Sequence, residues 1–165
     1  MTFQELLPPC LTSNQRDALE AHYTLMMRWN TRLNLTRIVS LEEVVQNHYA
    51  ESLFLSSKLP AGPLRIADVG SGPGFPGIPI AIARPECSVT LIESHRRKAV
   101  FLREATRDLS NVRVLAVRAE TVSEQFDWIV SRAVNPKDVL MLNLSPNIAL
   151  LSGRFEVSVP RGTLS

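Results

Sequence analysis

Leu64-Arg65-Ile66-Ala67-Asp68-Val69-Gly70-Ser71-Gly72-Pro73-Gly74-Phe75-Pro76-Gly77 is the stretch on which the fold turns. An apolar run, Leu64–Val69, reads as a strand, and Gly77–Ala83 reads as a short helix. Four of the chain's seven glycines fall within Asp68–Gly77. Strand, glycine-rich turn, helix is the context in which such a loop carries meaning, because glycine lets the backbone take unusual φ/ψ values and approach a ligand closely. The spacing is Gly-x-Gly-x-Gly, through Gly70, Gly72 and Gly74. A dinucleotide fingerprint would want glycine where Phe75 stands. Pro76 and Pro79 also remove two backbone donors that a pyrophosphate would use. A nicotinamide oxidoreductase is therefore the weaker reading.

The next apolar run ends Thr90-Leu91-Ile92-Glu93-Ser94, which puts Glu93 23 residues after Gly70. An acid about 20 residues past the loop is placed to accept both hydroxyls of a ribose. A nucleoside cofactor without a pyrophosphate fits loop and acid together, and S-adenosylmethionine is the commonest one. An ordinary surface acid is the plainer alternative for Glu93.

Working outward, short apolar runs alternate with helical stretches. Strands are expected at Leu64–Val69, Ser88–Glu93, Val112–Val117, Trp128–Val130 and Phe155–Val159, and helices at Gly77–Ala83, Arg96–Leu109 and Pro136–Leu144. That rhythm implies right-handed crossovers and an α/β fold with a parallel sheet covered on both faces. Upstream, the chain reads as helical. Thr12 with Gln15 makes a capping box, and Leu19, Tyr23, Met26 and Leu33 follow at helical spacing. A second helix opens at Ser40, with Val39 and Val44 placed as a hydrophobic staple. Pro60-Ala61-Gly62-Pro63 then ends it. The expected layout is one domain over residues 1–165, with a helical cap at 1–60 and a sheet core at 64–165.

Composition bounds the function. With 165 residues, 45% of them hydrophobic, the chain can bury a core without disulfide or metal staples. Cys10 and Cys87 are far apart and form no CxxC pair, which argues against a zinc knuckle and for a reducing compartment. The longest uncharged stretches, Val69–Ala83 and Val139–Gly153, fall short of the ~20 residues a membrane helix needs. The N-terminus lacks the basic and apolar regions of a secretory signal. Fifteen of the 18 basic residues are Arg, the residue for forked contacts with phosphate and carboxylate. Seven basic groups between 95 and 118 face only Glu104 and Asp108, a positive field suited to a polyanion.

Several motifs then appear in a fixed order: Trp29-Asn30, Asn34-Leu35-Thr36, His48-x-x-Glu51-Ser52-Leu53, DVGSGPGFPGIPIAIARP, TLIES, Lys98 with Phe101-Leu102, and Ser131-Arg132-Ala133-Val134. Together they closely resemble the bacterial 16S ribosomal RNA guanine-N7 methyltransferases, the small-subunit methyltransferase G or glucose-inhibited division protein B family. The match is good over about residues 19–135. The resemblance implies a Rossmann-like class I fold and S-adenosyl-L-methionine as cofactor. It implies 16S ribosomal RNA, within the 30S subunit, as substrate, and a cytoplasmic enzyme. By match to the family's pattern, Gly70 and Phe75 line the cofactor, Ala119 and Glu120 flank its adenine, and Arg132 reaches its methionine end. Glu93 takes the ribose, on the spacing argument more than on the family.

On the RNA side stand His48, Arg118 and Arg161. His48 lies on an apolar helical face, so a core histidine and a site residue are both open readings, and the motif favours the site. Arg118 follows a strand, where functional groups gather. Arg161-Gly162 resembles the family's Lys-Gly after the fifth strand, with Arg in place of Lys. Relatives run on beyond this point, so C-terminal strands of the family are expected to be missing. That keeps a second reading open, a non-catalytic RNA- or ribosome-binding module. No catalytic acid, base or metal ligand is assigned, because guanine N7 attacks through an existing lone pair and no proton need leave first. The sequence leaves oligomeric state open, with a monomer expected.

Overall fold

A computed structural model describes residues 1–132, 134–151 and 155–158. The elements in chain order are α1 (Phe3–Leu6), α2 (Ser13–Asn30), α3 (Leu41–Val44), a π-helical turn (Val45–Ala50), α4 (Glu51–Lys58), β1 (Arg65–Val69), α5 (Gly77–Ala83), β2 (Ser88–Ile92), α6 (Arg96–Ala105), β3 (Val112–Leu115), a 3-10 turn (Ala119–Thr121), β4 (Trp128–Arg132), α7 (Pro136–Met141), β5 (Ile148–Leu151) and β6 (Phe155–Ser158). The strands form one sheet in the order β3-β2-β1-β4-β5-β6. β1 to β5 run parallel, and β6 lies antiparallel on β5 with Phe155 opposite Leu151. This is the Rossmann-like sheet that the sequence rhythm and the resemblance lead one to expect. Strand order reverses between β1 and β4, and ligands of such sheets bind there, beyond the carboxyl ends.

Alternation along the strands builds two cores. Ile66 of β1, Val130 of β4, and Ala149 and Leu151 of β5 face α2, α4, α5 and α6, with Leu19, Met26, Ile78, Ile80, Phe101 and Leu102. Their neighbours Ala67, Val69, Ile129, Ile148 and Leu150 face the other way, onto Phe126, Val139 and Leu144. That is the two-residue period of a sheet buried on both faces.

The caps form largely as the sequence dictates. Thr12 and Gln15 make the full capping box of α2, and the Ser40 hydroxyl accepts the Glu43 N–H at the start of α3. The Val39–Val44 staple does not form, since Val44 is buried while Val39 is 63% exposed. The expected long second helix is interrupted by the π-helical turn that carries His48 and Tyr49.

The last strands differ from expectation. The sequence rhythm puts the last strand at Phe155–Val159, with no other after Trp128–Val130. Instead Ile148–Leu151 supplies the fifth parallel strand, and Phe155–Ser158 is a sixth, antiparallel one. Ile-Ala-Leu-Leu is four residues long and buried throughout, so it has no polar alternation to mark it as a strand. The expected α6 also stops at Ala105, where the Thr106 hydroxyl donates to the Leu102 carbonyl at 2.7 Å.

Candidate functional site

Everything converges on the turn after β1. Gly70, Gly72 and Gly74 all have positive φ, at 70°, 54° and 104°. The requirement is strictest at Gly74, where a Cβ would sit 2.4 Å from Ile78 Cδ1. The Gly70 N–H donates to the Ile92 carbonyl at 2.9 Å, which ties the loop to the end of β2. Glu93 completes that tie. Its Oε1 accepts the Gly72 N–H at 2.8 Å and its Oε2 accepts the His95 N–H at 2.9 Å. A carboxylate has about four lone-pair sites, so acceptor capacity remains for hydroxyls.

Beside this loop lies a pocket of about 210 Å³ lined by Val69, Gly70, Ile92, Ser94, Val117, Arg118, Ala119, Glu120 and Val134. The fold thus brings Gly70, Ala119, Glu120 and Arg118 together at the carboxyl ends of β1, β2 and β3. Arg118 is 77% exposed and makes a 3.5 Å ion pair with Glu120. A Cβ at Gly70 would meet Val134 Cγ2 at 3.2 Å.

Arg132, His48 and Phe75 form a second group. The His48 ring stacks on Phe75, with centroids 4.5 Å apart and planes at 14°. Its Nδ1 meets Arg132 Nη1, and its Nε2 lies 2.8 Å from Thr36 Oγ1. Guanidinium can only donate, so Nδ1 accepts and the ring proton sits on Nε2, donated to Thr36. Burial and the Arg132 charge push His48 down to about 4, which keeps it neutral. Glu51 Oε2 lies 3.5 Å from Arg132 Nη2. His48 is 7% exposed with both nitrogens engaged internally, so it braces Arg132. The Phe75 ring is 1% exposed and packs on His48, Tyr49 and His22. Any contact of Phe75 with a ligand therefore falls to its backbone. Arg161 lies outside the described residues.

Three residues without an assigned role in the sequence reading hold the loop from behind. His22 donates from Nε2 to the Pro73 carbonyl at 2.7 Å and accepts the Tyr49 hydroxyl at Nδ1, 2.6 Å. Burial pushes His22 down to about 4. Asp68 is fully buried, accepts the Gly77 N–H at 2.9 Å, and leaves Oδ1 without a partner among the described residues. Burial raises its carboxyl to about 8. Asp68 is legible as the acid opening the glycine motif. His22 has no local signal, because its partners lie 27 and 51 residues away.

The basic stretch does not share one edge. α6 returns antiparallel to the strands, so Arg97 stays at the carboxyl edge while Arg113 reaches the amino edge. There Arg113 pairs with Glu124 at 2.8 Å, beside Arg65. Among the described residues no group of His, Cys, Asp and Glu could hold a metal ion, and no helix is long and apolar enough to cross a membrane.

Comparison with known proteins agrees with this geometry. Residues 15–155 match the family model described as rRNA small subunit methyltransferase G. The ribosomal RNA small subunit methyltransferase G of Xanthomonas campestris pv. campestris (strain B100) is 45% identical over 118 residues, 69% of this chain and 55% of that protein. The protein of the same name from Xylella fastidiosa (strain M23) is 46% identical over 121 residues, 71% of this chain and 56% of that one. The chain thus spans about half the length of these relatives. Among solved structures, coclaurine N-methyltransferase bound to N-methylheliamine and SAH superposes with a TM-score of 0.57 at 14% identity, over 85% of this chain and 52% of that one. That likeness concerns the fold alone.

Proposed function

The chain belongs to the small-subunit ribosomal RNA methyltransferase G family, and on that premise we propose that it transfers a methyl group from S-adenosylmethionine to N7 of a guanine in 16S ribosomal RNA. The observation that carries this reading is the Glu93 carboxylate bonded to Gly72, beside a pocket that gathers Gly70, Ala119 and Glu120. A nucleoside laid over the glycine loop would meet an acidic acceptor for its ribose hydroxyls at Glu93. Ala119 and Glu120 would flank the adenine. Arg132, braced by His48 and Glu51, would hold the methionine carboxylate by a forked pair of hydrogen bonds. Arg118, at the pocket rim, would face the RNA.

When bound, the cofactor supplies an electrophilic methyl carbon on a sulfonium. Guanine N7 carries a free lone pair with which it would take up such a methyl group. No proton leaves before attack, so this chain's residues need only bind, align and exclude water. Arg132 would hold the carboxylate end of the cofactor and Glu93 its ribose, and together they would orient it.

A ribosomal RNA substrate implies a cytoplasmic protein with the 30S subunit as its partner. The reading is tested by incubating unmethylated 30S subunits with labelled S-adenosylmethionine, and label in 16S RNA is the expected result. RNA binding with no methyl transfer would instead favour a non-catalytic RNA-binding module.

A further inference from the structure

Between the C-terminal end of α2 and the first turns of α6 lies a groove of about 600 Å³, lined by Arg28, Trp29, Thr31, Arg32, Arg97 and Val100. Arg28, Arg32 and Arg97 are all exposed. Among the described residues none of them makes an ion pair or a side-chain hydrogen bond, and the lining contains no acid. Trp29 sets its ring edge-to-face on Phe101, with centroids 5.7 Å apart, which fixes its plane. Val100, 52% exposed, extends the apolar floor.

Three unneutralised guanidinium groups around one aromatic ring repel one another in the free protein. A polyanion relieves that repulsion, and guanidinium forks match phosphate geometry. An aromatic ring adds something phosphate alone does not need, a stacking platform for an unpaired base. We propose that this groove binds a single-stranded segment of RNA, with a base stacked on Trp29 and flanking phosphates held by Arg28, Arg32 and Arg97. The proposal rests on the reading of the chain as an RNA methyltransferase and deepens it by locating a substrate contact.

Its place in the fold connects it to the cofactor loop. Arg97 lies two residues past His95, whose N–H is held by Glu93. On the other side, Asn30 ends α2, and its Oδ1 accepts the N–H groups of Leu35 and Thr36 at 2.9 and 3.0 Å. Thr36 in turn holds His48. RNA seated in the groove is therefore on the same edge of the sheet as the pocket.

The experiment measures binding of a fluorescently labelled single-stranded RNA of about twelve nucleotides, a length within the usual reach of such sites, and of its blunt duplex, across a range of salt. The triple variant Arg28→Gln/Arg32→Gln/Arg97→Gln should weaken single-strand binding at least tenfold. It should also flatten the log–log salt slope by about two units, since each single-strand phosphate contributes roughly 0.7. Trp29→Leu should cost about tenfold on the single strand, leave the slope unchanged, and leave the duplex nearly unaffected. Both variants should bind S-adenosylhomocysteine like the parent.

Parent-like RNA binding in the triple variant overturns the proposal. So does an equal loss in Lys58→Gln/Arg65→Gln/Arg113→Gln, which removes the same charge at the amino edge of the sheet. Loss of binding to phosphatidylserine vesicles with RNA binding intact would assign the groove to a membrane surface and also overturn it. Methyl transfer by the parent to 30S subunits separates the two readings. A parent that binds RNA through this groove yet transfers no methyl group sinks the catalytic reading and leaves the groove standing. A parent that transfers methyl groups, with a triple variant indistinguishable from it, sinks the groove alone.

Discussion

The Glu93 carboxylate accepts the N–H of Gly72, 21 residues earlier in the chain, at 2.8 Å. One acid thereby fixes the middle of the glycine loop and stands at the position from which a ribose would be gripped. Glu93→Gln keeps the size of the side chain and removes its charge. It should lower S-adenosylhomocysteine affinity by one to two decades, because charge-assisted hydrogen bonds are worth about 1.5–3 kcal/mol. Calorimetric titration checks this, and parent-like affinity would remove Glu93 from the cofactor site.

His48 offers a second test, because on the proposed reading it would act on a ligand only through Arg132. His48→Phe preserves the stack on Phe75 and deletes both ring nitrogens. Arg132 then keeps Glu51 alone. The expected result is a several-fold higher KM for S-adenosylmethionine with kcat for methyl transfer little changed, the pattern of lost uniform binding. Arg132→Lys should be worse, since a single ammonium cannot make the forked contact. A drop in kcat alone would place His48 on the RNA instead.

The buried titratable groups fix how stability varies with pH. His22 and His48 are lowered from 6.5 to about 4, so their stabilising contribution is present above 6.5 and lost as pH falls toward 4. Asp68 is raised from 3.8 to about 8, so its contribution is present at low pH and lost as pH rises toward 8. Between about pH 4 and 6.5 two histidines oppose one carboxyl and stability climbs. Above that range Asp68 acts alone and stability falls, by up to about 1.4 kcal/mol per pH unit. Urea midpoints should peak near neutrality, and Asp68→Asn should remove the alkaline decline. A steady rise through pH 8 in the parent would show that Asp68 ionises freely.

Gly77 and Gly72 separate crowding from backbone strain. A Cβ at Gly77 would sit 2.4 Å from Leu91 Cδ2 and 2.7 Å from Asp68 Oδ2. Gly77→Ala should therefore cost about 1–3 kcal/mol in overpacking. Gly72 has φ +54°, and a Cβ there would meet nothing within 4 Å. Gly72→Ala should cost only about 1–2 kcal/mol of left-handed strain. Denaturant midpoints of the two variants check the order.

What could be read in the sequence was local. The turn Gly70-Ser71-Gly72-Pro73-Gly74 and the caps at Thr12 and Ser40 each depend on residues within a few positions, and each forms. Ala119 and Glu120 are tied to Gly70 in the sequence by the family resemblance, and the fold brings all three to one pocket beyond β1 and β3. The residues that escaped depend on contacts far along the chain. His22 is defined by Tyr49 and Pro73, and the inward turn of Phe75 by the ring of His48. β5 escaped for a different reason, since a four-residue apolar run fits a buried strand and a buried helix equally well.

Base mapping on 30S subunits tests the central claim most directly. Unmethylated subunits are incubated with S-adenosylmethionine and either the parent or Gly70→Val, which crowds the loop against Val134. The RNA is then treated with borohydride and aniline and mapped by primer extension. The account predicts a single new stop beside one guanine of 16S RNA with the parent, marking methylation at N7, and none with Gly70→Val. Contradiction would be label on another base or another atom of guanine, or equal transfer by both proteins.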